Sequence, residues 1–126
     1  MSDLLVSPGL LIQAALGSSW ARNLFLFAGE PGDGATLYGR MFAPGIGIDE
    51  DPATGSACAA LVGWLASRDP RPDLRLSLTV HQGVGMGRPS LLLGGATKAA
   101  GTLQSVTVGG HVAFVGGGCL DVEGAS

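Results

Sequence analysis

Two carboxyls, two hydroxyls and a glycine fall within seven residues, Glu50-Asp51-Pro52-Ala53-Thr54-Gly55-Ser56, directly ahead of an apolar run that opens at Ala57. The chemistry such a cluster can do depends on whether a helix begins there. At a helix start the first backbone N–H groups have no helical partner, and the macrodipole is positive. Gly55 and Ala57 carry too little bulk to block an approaching ligand. A carboxylate or phosphate could then rest on the N–H groups near residues 55–57 and on the hydroxyls of Thr54 or Ser56. Asp51 faces the same spot. A bound anion beside it would favour its protonated form and suit it to hand on a proton. The plainer alternative stands next to this one: Asp51 caps the helix and Ser56 is simply small. The segment lacks the spaced Gly and Lys of a P-loop and the three glycines of a dinucleotide fingerprint.

The elements that would position this cluster are legible. A helix is predicted from Ala53 to Arg68, with Pro52 at its entry and Asp69-Pro70-Arg71-Pro72 as its stop. Its body, ACAALVGWLA, is apolar on every side, which predicts a buried helix with Trp64 in the core. Strands are predicted near Asn23–Ala28, Thr36–Phe42, Arg75–His81, Ser90–Leu93, Ser105–Val108 and Val112–Val115, separated by glycine-rich turns. Leu74, Leu76, Leu78 and Val80 alternate with Arg75, Ser77, Thr79 and His81, the pattern of a half-buried strand. Gly29–Ala35 reads as a hairpin loop, and Gly83-Val84-Gly85-Met86-Gly87 as a turn. Leu4–Leu16 is predicted to form a short helix. With no repeat and no linker, residues 1–126 read as one domain.

Other reactive side chains fit less well into a site. His81 and His111 have no second ligand at metal spacing, so neither is assigned a catalytic or metal role. Cys58 and Cys119 form no CxxC pair, and Cys58 reads as a small buried hydrophobe. Arg88, before Pro89-Ser90, is expected to pair with Glu50 or Asp51 and steady the acidic turn.

Composition narrows the function classes. Net charge is −3 and only 13% of residues are charged, against about 25% in ordinary domains. No basic stripe exists to neutralise phosphates, so nucleic-acid binding is disfavoured. The longest apolar run, Ala57 to Ala66, is ten residues, short of the roughly 20 that span a bilayer. Asp3 and the lack of a basic n-region do not suit a secretory signal. The expectation is a reduced, cytoplasmic protein with no metal and no membrane contact. Its weakly charged surface suits contact with another chain.

Two strings carry a family resemblance: RMFAPGIGIDEDPATGSACAALVGWL, from Arg40 to Leu65, and HQGVGMGRPSLLL, from His81 to Leu93. Together they resemble the phenazine-biosynthesis PhzF-like isomerases, whose pattern is Arg-x-Phe-x-Pro, then Ile-x-Glu-Asp-Pro-x-Thr-Gly-Ser-Ala, then Gln-Gly-x-x-Met-Gly-Arg-Pro-Ser. The resemblance runs from about Asn23 to Val122. It implies an α+β, diaminopimelate epimerase-like domain, a curved, mostly antiparallel and barrel-like sheet wrapped around one central buried helix. In that family two such domains face each other, and their helix N-termini hold the substrate carboxylate in the cleft. The reaction isomerises a dihydro-hydroxyanthranilate by proton transfer without metal or organic cofactor.

Carried onto this chain, the resemblance implies Asp51 and Ser56 as catalytic residues. It implies Thr54, Gly55, Ser56 and Ala57 as the substrate-binding turn, with Glu50 and Arg88 in support. In the related racemases and epimerases a catalytic cysteine opens the same helix, but Cys58 follows Gly55-Ser56-Ala57 instead of preceding them. The chain resembles only the C-terminal half of the family, with residues 1–20 as a remnant of the inter-domain helix. The principal catalytic glutamate and a Gly-His motif belong to the other half and have no counterpart here; Glu30 sits in a Gly/Pro loop. The expected function is therefore half of a cofactor-independent isomerase, completed by a second chain or domain. The alternatives are a non-catalytic homodimer that binds a small carboxylate or plays a structural role, and a truncated, inactive fragment.

Overall fold

The computed structural model of the chain describes residues 23–124; the expected helix over Leu4–Leu16 and the remnant 1–20 lie outside the described residues. The described elements are β1 (Leu24–Ala28), β2 (Ala35–Ala43), β3 (Ile48–Asp51), α1 (Gly55–Arg68), β4 (Leu74–Gln82), β5 (Ser90–Ala99) and β6 (Thr102–Gly110). The strands form one sheet in the order β1-β2-β4-β5-β6, with β3 paired to β2. Every pair is antiparallel except β2 with β4. Parallel neighbours need a crossover, and the chain between them supplies β3 and α1.

The alternation in β4 works as its sequence predicts. Leu74, Leu76, Leu78 and Val80 are buried beneath α1, while Arg75 and Ser77 are exposed on the other face. Leu37 from β2, Leu92 and Ala96 from β5, and Cys58, Leu61, Val62 and Ala66 from α1 complete this core. Each fully buried Leu or Val contributes about 1.5–3 kcal/mol to holding helix on sheet.

Glycine in β5 has a packing reason that the sequence disguises. Gly94 and Gly95 read as a turn and shorten the expected strand to Ser90–Leu93, yet β5 runs through them to Ala99. A Cβ on Gly94 would lie 3.2 Å from Cys58 Sγ, and one on Gly95 would lie 2.7 Å from Thr107 Oγ1. The first keeps the helix close to the sheet, and the second accommodates a neighbouring strand's side chain.

Four expectations need correction. The sheet is open among the described residues: β1 and β6 end the path and do not pair with each other, so no barrel closes around the helix. The helix is buried on one side and open on the other. Trp64 is 51% exposed and lies outside the core, because α1 covers the sheet with Cys58, Leu61, Val62 and Ala66 and turns Ala60 and Trp64 outward. No strand forms at Val112–Val115. Gly110 pairs with Leu92, and only Leu91 and Ser90 of β5 extend beyond that pair, so the described sheet offers no strand for Val112–Val115 to run along. Finally, β3 lies inside what reads as an acidic turn, where it pairs with β2 across a bulge.

Candidate functional site

The two adjacent acids of the motif serve different faces. Successive side chains in a strand point to opposite sides, and Glu50 and Asp51 close β3. Glu50 meets β2, where Arg40 Nε donates to its Oε1 at 2.9 Å and Arg40 Nη2 to its Oε2 at 2.9 Å. Such two-pronged pairs fix geometry as well as charge. The same guanidinium lies 5.0 Å from the centre of the Phe42 ring, and Glu50 holds it above its usual arginine pKa. The sequence pairs Arg88 with Glu50 or Asp51. That pairing does not form, because β2–β3 pairing brings Arg40 to Glu50 while the Arg88 side chain stays exposed. The Arg88 backbone N–H donates instead to Gly83 O at 3.0 Å.

Asp51 goes the other way, to the head of α1. The Thr54 hydroxyl donates to Asp51 Oδ2 at 2.5 Å. Thr54, not Asp51, is the N-cap; its backbone is extended and its side chain makes no cap bond, being turned to Asp51. The first bond of the helical ladder runs from Cys58 N–H to Thr54 O. The N–H groups of Gly55, Ser56 and Ala57 therefore lie ahead of that ladder, at the positive end of the helix dipole. Ser56 is exposed, and Ala57 is half-buried. The structure thus brings Asp51, Thr54, Gly55, Ser56 and Ala57 together, with Glu50 held by Arg40 and the Arg88 side chain exposed.

One residue escapes a motif-by-motif reading. Gln82 ends β4, is fully buried, and reaches the turn with both ends of its carboxamide. Its Nε2 donates to Asp51 O at 2.7 Å and to Thr54 Oγ1 at 2.9 Å. Its Oε1 accepts the Thr54 N–H at 3.2 Å. A signal existed in the sequence: Gln82 continues the buried series Leu74, Leu76, Leu78, Val80, and a polar residue on a buried face must have partners. Gly83 follows with φ +72°, and a Cβ there would lie 2.3 Å from Arg88 O and 2.8 Å from Pro52 O. The Gln-Gly pair thus clasps the acidic turn from below.

A hollow of about 530 Å³ opens beside this end of the helix, bounded by Ala53, Gly55, Ser90, Val108 and His111. His111, given no role by spacing, sits on its wall. His81 lies on the opposite face of the sheet, stacked on Tyr38 with ring centres 5.3 Å apart. Cys58 points into the core, fully buried, and burial pushes its thiol pKa up. That is the environment of an inert packing residue. Among the described residues no group of His, Cys, Asp and Glu is gathered to hold a metal ion. No described helix is long and apolar enough to cross a membrane.

Among the described residues, an open α+β sheet carries one crossover helix with a carboxyl beside its bare N-terminus. Residues 21–118 match the PhzC-PhzF family, described as phenazine biosynthesis-like proteins, and the chain belongs to that family. An uncharacterized isomerase of Mesorhizobium japonicum is 43% identical over 68% of this chain and 28% of its own length. The trans-2,3-dihydro-3-hydroxyanthranilate isomerase of Pseudomonas chlororaphis is 38% identical over 84% of this chain and 37% of its own. The uncharacterized isomerase YddE of Escherichia coli K12 is 34% identical over 83% of this chain and 36% of its own. The chain spans roughly a third of the length of these curated relatives.

Proposed function

We propose that this chain supplies one jaw of a cofactor-independent isomerase that moves a proton on a small, carboxylate-bearing metabolite. The observation that carries the reading is the pairing of Asp51 with a bare helix start: a carboxyl anchored by Thr54 stands next to the N–H groups of Gly55, Ser56 and Ala57. Those N–H groups and the Ser56 hydroxyl would hold the substrate carboxylate, and Asp51 would take up or return the migrating proton. The opposing base, a glutamate, would come from a second chain or domain. This agrees with the coverage of the relatives, roughly two thirds of whose length has no counterpart here. In this reading the protein works in the cytoplasm without metal or organic cofactor, and phenazine-type precursors are one candidate substrate class.

Reconstitution tests it. The chain is co-expressed with the amino-proximal part of the Pseudomonas chlororaphis relative, and the purified pair is assayed on trans-2,3-dihydro-3-hydroxyanthranilate and on related unsaturated acids. Activity from the pair, absent from either part, is the expected result, with Asp51→Asn lowering it by about 10²–10⁴-fold. Turnover by this chain alone with Asp51 replaced by Asn would contradict the reading.

A second reading, a homodimer that holds a small carboxylate without turning it over or serves a structural role, draws on a different observation. Val112, Phe114, Val115 and Leu120 are each more than 90% exposed, an apolar stretch suited to a second copy. Light scattering that shows a dimer lacking activity with any partner would favour it; a strict monomer would remove it.

A further inference from the structure

We infer that Gln82 is a positioning residue that selects which oxygen of Asp51 exchanges the proton; the inference rests on the isomerase reading above. The argument is one of hydrogen-bond polarity. A carboxamide has two donors on nitrogen and an acceptor on oxygen. Gln82 Nε2 lies 2.7 Å from a carbonyl oxygen, Asp51 O, and Gln82 Oε1 lies 3.2 Å from a backbone donor, Thr54 N. Turning the amide over would set oxygen against oxygen and N–H against N–H in a fully buried place. Its orientation is therefore forced.

The second Nε2 hydrogen then points at Thr54 Oγ1, 2.9 Å away. That hydroxyl becomes an acceptor toward Gln82, and its single hydrogen is left for Asp51 Oδ2 at 2.5 Å. The direction of the relay is thus Gln82 Nε2–H to Thr54 Oγ1, and Thr54 O–H to Asp51 Oδ2.

Two consequences follow for the site. Oδ2 is an acceptor whether Asp51 is charged or neutral, so a proton carried by Asp51 resides on Oδ1. When the carboxylic acid gives up that proton, the O–H bonding pair stays behind as carboxylate charge, and the Thr54 hydrogen bond steadies it. Proton transfer is confined to one oxygen and so to one direction. Thr54 also drops out as a direct ligand for the substrate anion. Its hydroxyl hydrogen serves Asp51 and its N–H serves Gln82, which leaves the anion to Gly55, Ser56 and Ala57.

The test has one spectroscopic arm and one kinetic arm. In the wild-type chain, proton NMR is expected to show a Thr54 hydroxyl resonance that exchanges slowly with water and cross-relaxes with the Gln82 side-chain amide. Gln82→Met is expected to speed that exchange about tenfold or more, the effect of losing one buried hydrogen bond. Thr54→Val abolishes the resonance, and Thr54→Ser retains it. A wild-type hydroxyl that exchanges at the solvent rate, or one equally slow in Gln82→Met, overturns the relay. Should Gln82→Met fail to fold, the wild-type resonance and its cross-relaxation decide the matter. In the reconstituted pair, Thr54→Val is expected to lower kcat by about 10²-fold with little change in KM, and Thr54→Ser to restore it. An intact kcat in Thr54→Val overturns the positioning role. A wild-type pair without turnover instead defeats the isomerase reading, while the hydroxyl measurement still decides the polarity of the relay.

Discussion

The two ends of α1 are finished differently, although each is served by a buried polar side chain from the sheet. Among the described residues the buried polar or charged side chains are Gln82 and Lys98. Lys98, on β5, donates from Nζ to Ala66 O at 3.0 Å and to Asp69 O. The backbone N–H of Asp69 also bonds Leu65 O. The carbonyl end of the helix is thus satisfied from within, by a cation where the dipole is negative. Gln82, at the other end, satisfies the turn that precedes the helix but none of the N–H groups of Gly55, Ser56 and Ala57. One terminus is closed by the fold, and the other is braced from below and left open above. The open end is the one at which our proposal seats the substrate carboxylate.

Substitutions can break this comparison at either end. The largest effect is expected from Gly83→Ala beneath the open end. A methyl there meets two backbone oxygens at φ +72°, and we expect a loss of about 3 kcal/mol in urea unfolding. A loss below about 1 kcal/mol would mean that the Gln-Gly clasp is looser than its geometry. Next comes Lys98→Met at the closed end. It removes the cation from the Ala66 and Asp69 carbonyls and should lower stability by about 2 kcal/mol while leaving carboxylate binding at the other end unchanged. If that binding fell with stability, the two ends would not be independent.

Thiol chemistry sharpens the picture without altering stability. Cys58 lies in the first turn of α1, yet its side chain is buried and its thiol pKa raised. Cys119 is exposed. Iodoacetamide at pH 8 is expected to label Cys119 readily and Cys58 only on unfolding. Fast labelling of native Cys58 would point to a reactive epimerase-type thiol.

The smallest effect concerns the closed end in acid. The Arg71 hydrogen bonds hold the Asp69 carboxyl well below its ordinary 3.8, and the Ser77 hydrogen bonds lower that of Asp33, in the loop before β2. A carboxyl with a depressed folded value adds stability above its unfolded value and loses it as pH falls through the folded one. Unfolding curves should therefore not change on account of these two groups from pH 7 to about 5, and should soften slightly only below pH 4. Asp33 is exposed and Asp69 only partly covered, so the change is small. An Asp69→Asn variant that kept the full acid sensitivity of the parent would remove Asp69 from the account.

Much of this was legible in the sequence where a period or a motif spoke for itself. The alternation in β4 and the Pro-bounded helix needed only local information, although the helix opens at Gly55 and not at Ala53. Errors arose where a residue's meaning depended on a distant neighbour. Gly94 and Gly95 read as turns because nothing local reveals that a helix and a strand side chain press against them. Trp64 read as core because an all-apolar helix does not disclose that one of its faces lacks a cover. Val112–Val115 has strand-like composition but no partner edge. Arg88 reads as a partner for Glu50 or Asp51 because no local signal reveals the strand alternation inside the acidic turn that sends Glu50 to Arg40. Gln82 could have been found by asking what a glutamine does at the end of a buried apolar series.

The bare helix start can be tested without any partner. Isotope-labelled chain is titrated with benzoate as the probe carboxylate, and backbone amide shifts are followed by NMR. The account predicts saturable shifts centred on Gly55, Ser56 and Ala57, lost in Ser56→Pro and unaffected by Lys98→Met. Shifts that are absent from these amides, or that centre on another part of the sheet, would contradict the claim that this turn is the substrate-facing jaw.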